Sequence, residues 1–241
     1  MKKDNLFSKP LKSVSGFTFD ESVTAVFPDM IQRSVPGYEM IISIIEMFSW
    51  KYARPGTNCY DLGCSLGAVT RAMLKNAPHK DVRVIAVDNA PAMIENLKKS
   101  IEKSKTVNPV ELIVDDVCNI QIINASMVVL NFTLQFIPTG KRSSLISTIY
   151  NGLIPGGVLI VSEKVSFDDS GEQNFHFDHH HDFKRYNGYS DLEISQKRTA
   201  LENILIPETM DTHLHRLTKT GFENPRVWFR CFNFVSFFAM K

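Results

Sequence analysis

From Tyr60 onward, short β-rich runs alternate with helical stretches, and this alternation constrains the chain most, because neighbouring parallel strands need long crossovers that helices supply. The runs are Thr57 to Leu62, Val82 to Val87, Val110 to Val114, Ser126 to Asn131 and Val158 to Ser162, the last entered through the turn Ile154-Pro155-Gly156-Gly157. Leu66 to Lys75, Ala90 to Ser104 and Lys141 to Gly152 carry apolar residues at spacings of three and four. A parallel sheet with right-handed connections follows. After Gly221, Pro225 to Arg230 and Cys231 to Met240 lie too close together for a crossover and predict an antiparallel hairpin. The expected fold is therefore α/β and Rossmann-like: a mostly parallel seven-stranded sheet with a C-terminal antiparallel hairpin and helices on both faces. One domain over residues 1–241 is expected. It includes an N-terminal helical segment, 1–54, in which Ile41 to Trp50 reads as helix, and an insertion, 167–207, where substrate selection is placed.

Composition narrows the partners. Twenty-seven basic residues against twenty-six acidic ones leave a formal charge of +1, so no global field draws the chain to nucleic acid or an anionic membrane. Cys59, Cys64, Cys118 and Cys231 form no C-x-x-C pair, which argues against a zinc knuckle or a disulfide framework and fits a reducing cytosol. No run approaches the roughly 20 apolar residues of a membrane span, and the basic N-terminus reaches no apolar signal core. A cytoplasmic protein is expected.

Asp61-Leu62-Gly63-Cys64-Ser65-Leu66-Gly67 follows a strand and opens a helix, which puts it at the carboxyl edge of the sheet, where open α/β folds bind ligands. A dinucleotide site wants glycine where Ser65 stands, because its backbone must approach a pyrophosphate; S-adenosylmethionine has no phosphate and tolerates the side chain. Asp88 ends the second strand, placed to accept hydrogen bonds from ribose hydroxyls, and Asn89 supports the same nucleoside. Asp116 and the Val117 amide follow the third strand and can read an adenine edge. Any one of these acids alone reads more readily as a solvated loop residue or a helix cap. Together, in chain order after strands one, two and three, they point to nucleoside binding, with NAD as the lesser competitor.

Ser190-Asp191-Leu192-Glu193 has the form of a capping box and predicts a helix from about Asp191 to Ile204. Ile194, Arg198, Leu201 and Leu205 then share one face, which places a guanidinium inside an apolar stripe. It must snorkel, pair internally or meet an anion such as a ligand carboxylate. Just upstream, His176, His179, His180 and His181 are too closely adjacent to converge on one ion, so no metal is expected and the segment reads as a hinge or lid.

At the level of motifs, the chain closely resembles the carboxy-S-adenosyl-L-methionine synthases of tRNA wobble-uridine modification, which belong to the class I S-adenosylmethionine-dependent methyltransferase superfamily. The resemblance spans nearly the whole length. It is carried by Val35-Pro36-Gly37-Tyr38, the glycine loop, Asp88 to Glu95, Asn124 to Phe136 and Glu193 to Arg198. The loop is widespread among methyltransferases, whereas Asn131-Phe132-Thr133-Leu134-Gln135-Phe136 and Ile194 to Arg198 are more specific.

The resemblance implies that prephenate supplies carbon dioxide to the methyl carbon of S-adenosylmethionine, giving carboxy-S-adenosylmethionine and phenylpyruvate. It implies cofactor contacts at Tyr38, Gly63, Cys64, Ser65, Asp88, Asn89, Asp116, Val117, Asn131 and Arg198. Val117 stands where some relatives have Ile, a harmless change if only its amide binds. Arg198 would meet the new carboxylate, Asn131 would orient the reacting groups and Tyr38 would close the pocket; no general base is assigned. A homodimer is expected, with prephenate as substrate, a tRNA carboxymethyltransferase downstream, no direct tRNA binding and no membrane. Two alternatives stay open on the residues alone: an ordinary small-molecule methyltransferase, and a noncatalytic binding module.

Overall fold

The computed structural model describes residues 2–75, 81–104 and 108–241. Five parallel strands form the body of the sheet: β1 (Asn58–Leu62), β2 (Arg83–Asp88), β3 (Val110–Val114), β4 (Ala125–Asn131) and β5 (Leu153–Ser166). They lie in the order β3-β2-β1-β4-β5, which reverses direction between β1 and β4. The hairpin β7 (Glu223–Cys231) and β8 (Phe234–Met240) closes the sheet, β8 lying antiparallel to β5. A further two-residue strand, β6 (Glu208–Thr209), pairs with the end of β5.

The strands alternate between two cores. In β4, Met127 and Val129 pack with Ile41, Ile45, Val69 and Met73, whereas Val128 and Leu130 pack with Leu145, Ile146, Ile149 and Leu217. The first set comes from α2 (Tyr38–Tyr52) and α3 (Ala68–Lys75), the second from α5 (Thr139–Gly152) and α8 (Met210–Thr220). A strand buried on both faces has no polar side to show, which is why β4 reads as a continuous apolar run. α4 (Pro91–Glu102) covers β2 and β3, packing Ile94 and Leu97 against Ala86.

β5 is far longer than the five residues expected. Pro155-Gly156-Gly157 lies within it, and the strand continues because Lys241 at the chain end exchanges backbone bonds with Gly156 (2.6 Å) and Gly157 (2.9 Å). The sequence reading also passed over α1 (Glu21–Ser34), whose pattern is broken by Pro28; Asp20 caps it, accepting from the Val23 amide at 3.0 Å. The histidine segment, expected as a hinge or lid, is helical. It lies in a regular helix, α6 (Ser170–Tyr186), capped by Asp169.

α1, α6 and α7 (Asp191–Leu201) form a roof over the carboxyl edge of the sheet. Gln196 of α7 holds the N-terminal segment there, accepting from the Leu11 amide at 2.7 Å and donating to the Phe7 and Lys9 carbonyls. Arg33 of α1 donates to the Asn187 carbonyl at 2.7 Å and stacks 3.8 Å over the Tyr189 ring, which fixes α1 to the α6–α7 connection.

The turn after β4 is held from behind. Glu163 of β5 is fully buried, and its two carboxylate oxygens accept from the Leu134 and Gln135 amides at 2.8 and 2.9 Å. Glu163→Gln presents an amide donor to one of those N–H groups. It should cost about 1 to 3 kcal/mol, the usual range for a buried group left unsatisfied, and lower the urea midpoint accordingly. An unchanged midpoint would show that the turn does not depend on Glu163.

Candidate functional site

Strand ends and the loops that follow them converge on one cavity of about 490 Å³ beneath the helical roof. Its floor is the turn after β1. The Gly63 and Cys64 amides both donate to the Val87 carbonyl, at 2.8 and 2.9 Å, which folds the turn over the end of β2. Gly63 has a φ of +81°, and a Cβ there would come within 2.3 Å of the Thr133 hydroxyl oxygen. Glycine is therefore required for close approach of the β1 and β4 turns, with Thr133 donating to the Leu62 carbonyl at 2.8 Å.

All ten residues expected to contact the ligand, from Tyr38 through Arg198, line this cavity. Asp88 is buried, its carboxylate accepting from the Ser65 amide at 2.8 Å and the Ala90 amide at 2.9 Å. Burial raises its pKa and these two bonds oppose the rise. Asp116 accepts from the Cys118 amide at 2.9 Å, so it caps the turn while also lining the cavity. The Asn131 Oδ1 atom is buried with no hydrogen-bond partner among the described residues, an acceptor open to a ligand. The next residue, Phe132, takes a φ of +62°, an uncommon conformation that turns the chain across the cavity wall.

Asp61 lies beneath the floor. Thr70 donates to it twice, from its hydroxyl at 2.6 Å and its amide at 2.9 Å, while burial lifts its pKa to about 7. The Tyr38 hydroxyl and the Cys64 thiol are both pushed upward by burial, so neither ionises near neutrality and Cys64 is a poor nucleophile. Cys64 serves as wall.

Arg198 departs from expectation. The capping box at Ser190 and Glu193 is present, but α7 ends at Leu201 instead of Ile204, and Arg198 is exposed instead of buried in an apolar stripe. The face it shares with Leu201 and Leu205 borders the cavity. Its guanidinium rests 4.9 Å over the Phe177 ring, and no carboxylate among the described residues pairs with it. The histidines diverge. His176 bonds Arg230 at 2.8 Å, His179 the Phe175 carbonyl at 2.7 Å and His180 the Ser34 carbonyl at 2.8 Å, while His181 lines the cavity.

Among the lining residues that escaped the sequence reading are two cations, Lys164 near the end of β5 and Lys184 near the end of α6. The available signal was a lysine inside Val161-Ser162-Glu163-Lys164-Val165, at the carboxyl edge of an otherwise apolar strand. Burial lowers Lys184 to about 7, helped by Lys164, Lys197 and Arg198, and lowers Lys164 to about 8, helped by Arg198. Lys197 is also lowered to about 8 by burial, although it bonds Ser34 at 3.1 Å and lies 3.8 Å from Asp4.

A sheet whose order reverses between β1 and β4, with a glycine turn, Asp88, Asp116 and Asn131 on successive strand ends, defines a protein of the S-adenosylmethionine-dependent methyltransferase fold. The family profile described as a methyltransferase domain matches residues 60–157. Among solved structures, one of a putative S-adenosylmethionine-dependent methyltransferase from Methanococcus maripaludis superposes with a TM-score of 0.62 at 19% identity, over 95% of this chain and 96% of that one. Among curated proteins, carboxy-S-adenosyl-L-methionine synthase from Geobacter sp. is 56% identical over 100% of this chain and 99% of its own length. The enzyme of the same name from Salmonella paratyphi C is 54% identical over 99% and 97%. The chain belongs to the carboxy-S-adenosyl-L-methionine synthase family.

The roof cations have a measurable consequence. Each of Lys164, Lys184 and Lys197 has a folded pKa below its ordinary value of 10.5, so between the two values the unfolded chain binds more protons and stability rises with pH. Glu163, lifted to about 8, opposes this at lower pH, and the buried thiols of Cys59 and Cys64, pushed up by burial, oppose it more weakly from pH 8 to 9, where they are only beginning to ionise in the unfolded chain. The melting temperature of the ligand-free protein should therefore rise from pH 8 to pH 9, and less steeply in Lys184→Met. A falling or flat wild-type profile would contradict the burial of these ammoniums.

Proposed function

We propose that the chain is a carboxy-S-adenosyl-L-methionine synthase that joins the carboxyl group of prephenate to the methyl carbon of S-adenosylmethionine, releasing phenylpyruvate and water. Family membership across the full length supports this reading, and the observation that carries it is Arg198, a guanidinium without a carboxylate partner among the described residues that lines the same cavity as the expected nucleoside residues. An ordinary methyltransferase gains nothing from a cation beside a sulfonium, whereas a ligand bearing an added carboxylate does. The wall fits S-adenosylmethionine on its other side: Asp88 and Asp116 make it acidic, and Asn131 offers an unmatched acceptor.

In this reading Gly63 to Ser65 form the floor, Asp88 and Asn89 hold the ribose, and Asp116 with the Val117 amide holds the adenine. When bound, S-adenosylmethionine supplies the methyl carbon that receives the carboxyl group. Arg198 holds the incoming carboxylate, oriented by its contact with Phe177, and Asn131 positions the reacting end. Tyr38, whose ring lies 6.4 Å from that of Phe132, closes the cavity and keeps water out. The product would serve a separate transferase that modifies wobble uridine in tRNA, consistent with a formal charge of only +1. We place the protein in the cytoplasm as a homodimer. No described helix is long and apolar enough to cross a membrane, and Met40, Met47 and Trp50 expose apolar surface along α2.

The test is to denature the purified protein and weigh the small molecule it releases, then assay turnover with prephenate. A mass one carbon dioxide above S-adenosylmethionine, and phenylpyruvate formed only when both substrates are present, would support the synthase. Methyl transfer with indifference to prephenate would replace it with an ordinary methyltransferase. Arg198→Ala should weaken the carboxylated ligand by about 2 kcal/mol, roughly 30-fold, while leaving S-adenosylhomocysteine within about twofold. Equal loss for both ligands would remove Arg198 from the carboxylate.

A further inference from the structure

Arg198 accounts for one anionic group, yet the roof presents more positive charge than that. Lys164 from β5 and Lys184 from α6 line the same cavity, and neither ammonium has a hydrogen-bond or carboxylate partner among the described residues. Around them, α6 contributes His180 and His181, and α7 contributes Lys197, Arg198 and, at its end, Glu202. Lys197 is satisfied by Ser34 and Asp4. Glu202 lines the cavity but makes no ion pair with either lysine, and Asp61, Asp88 and Asp116 belong to the nucleoside side. Two ammoniums that line one cavity without a counter-ion disfavour each other's charge, Lys164 lowering Lys184, and an anionic ligand relieves that cost.

We propose that Lys164 and Lys184 form a carboxylate subsite for the second substrate, a small dianion with an apolar body whose other carboxylate is the one that Arg198 receives. The apolar body follows from the aromatic wall beside these cations, Tyr38, Phe132, Phe177 and Phe234. The inference rests on the carboxyl-transfer reading for the identity of that dianion, and prephenate has the required pair of carboxylates. After transfer, the lysine pair retains the remaining carboxylate of the spent substrate, so the two products leave from separate anion sites.

Proton traffic follows from the same geometry. Lys184 and Lys164 are lowered to about 7 and about 8 in the open cavity, and a carboxylate placed against them raises both. Binding of the dianion at pH 8 therefore takes up protons, and affinity falls as the pH is raised further. His181, depressed to about 4 by burial and by these lysines, stays neutral throughout that range.

The experiment is calorimetric titration of prephenate into full-length protein saturated with S-adenosylhomocysteine, which has no methyl group to carboxylate. It is run at pH 8 in buffers of different ionisation enthalpy. The expected result is proton uptake by the wild type, at least tenfold weaker prephenate binding in Lys164→Met and Lys184→Met, and retained binding without the Lys184 share of uptake in Lys184→Arg. S-adenosylhomocysteine affinity, measured in each variant, should stay within about twofold, which establishes that the variants fold. Prephenate affinity unchanged in both methionine variants, or binding with no proton uptake, overturns the subsite. Wild-type turnover separates the two readings. Product formed with lysine-independent prephenate binding removes the subsite alone, whereas lysine-dependent, proton-linked binding without product removes the carboxyl-transfer reading and leaves the subsite standing.

Discussion

Everything about this site depends on how closely the turn after β1 can lie against its neighbours. Gly63 has no room for a side chain because Thr133 occupies the space, and the Gly63 and Cys64 amides both anchor to the end of β2 through Val87. The contact locks three strand ends into one edge. Asp88 then reaches back to the Ser65 amide, which fixes the loop relative to the end of β2. A larger residue at position 63 would separate β1 from β4 and disperse the ligand-facing groups, although none of them would have changed.

Upon that edge the fold builds a cavity with opposite electrostatic ends. Acids from β1, β2 and the turn after β3 lie on the sheet side, while Lys164, Lys184 and Arg198 come from β5 and the roof helices. Separation matters because in a site of low dielectric like charges disfavour ionisation and unlike ones would pair and cancel. The roof is kept in place by uncharged and charged bonds outside the cavity, chiefly Gln196 to the N-terminal segment and Arg33 to Asn187 and Tyr189. That arrangement leaves Lys164, Lys184 and Arg198 without a carboxylate partner among the described residues.

Much of the sheet was legible before any coordinates. Val110 to Val114 coincides with β3, and β1, β2 and β4 fall within a residue of expectation at either end, since short apolar runs bounded by turn residues leave little choice. β5 ran long because its extension is secured by Lys241, more than eighty residues away in sequence. α1 stayed hidden because Pro28 breaks its pattern, and α6 because its polar, histidine-rich face gives weak periodicity. Arg198 was singled out as a cation within an apolar stripe; it is exposed, and the face it shares with Leu201 and Leu205 borders the cavity.

The sequence by itself determined the strand and helix alternation, the glycine turn, the order of the acids along the sheet edge and the capped helix that carries Arg198. These are local or periodic properties, set by backbone sterics, hydrophobic spacing and capping. Only the tertiary structure decided that Lys164 and Lys184, twenty residues apart and on different elements, face one cavity, and that Glu163 grips the turn after β4 from the neighbouring strand. Such relations are long-range: they depend on which side chains burial leaves without a partner, and that is settled only when the elements pack.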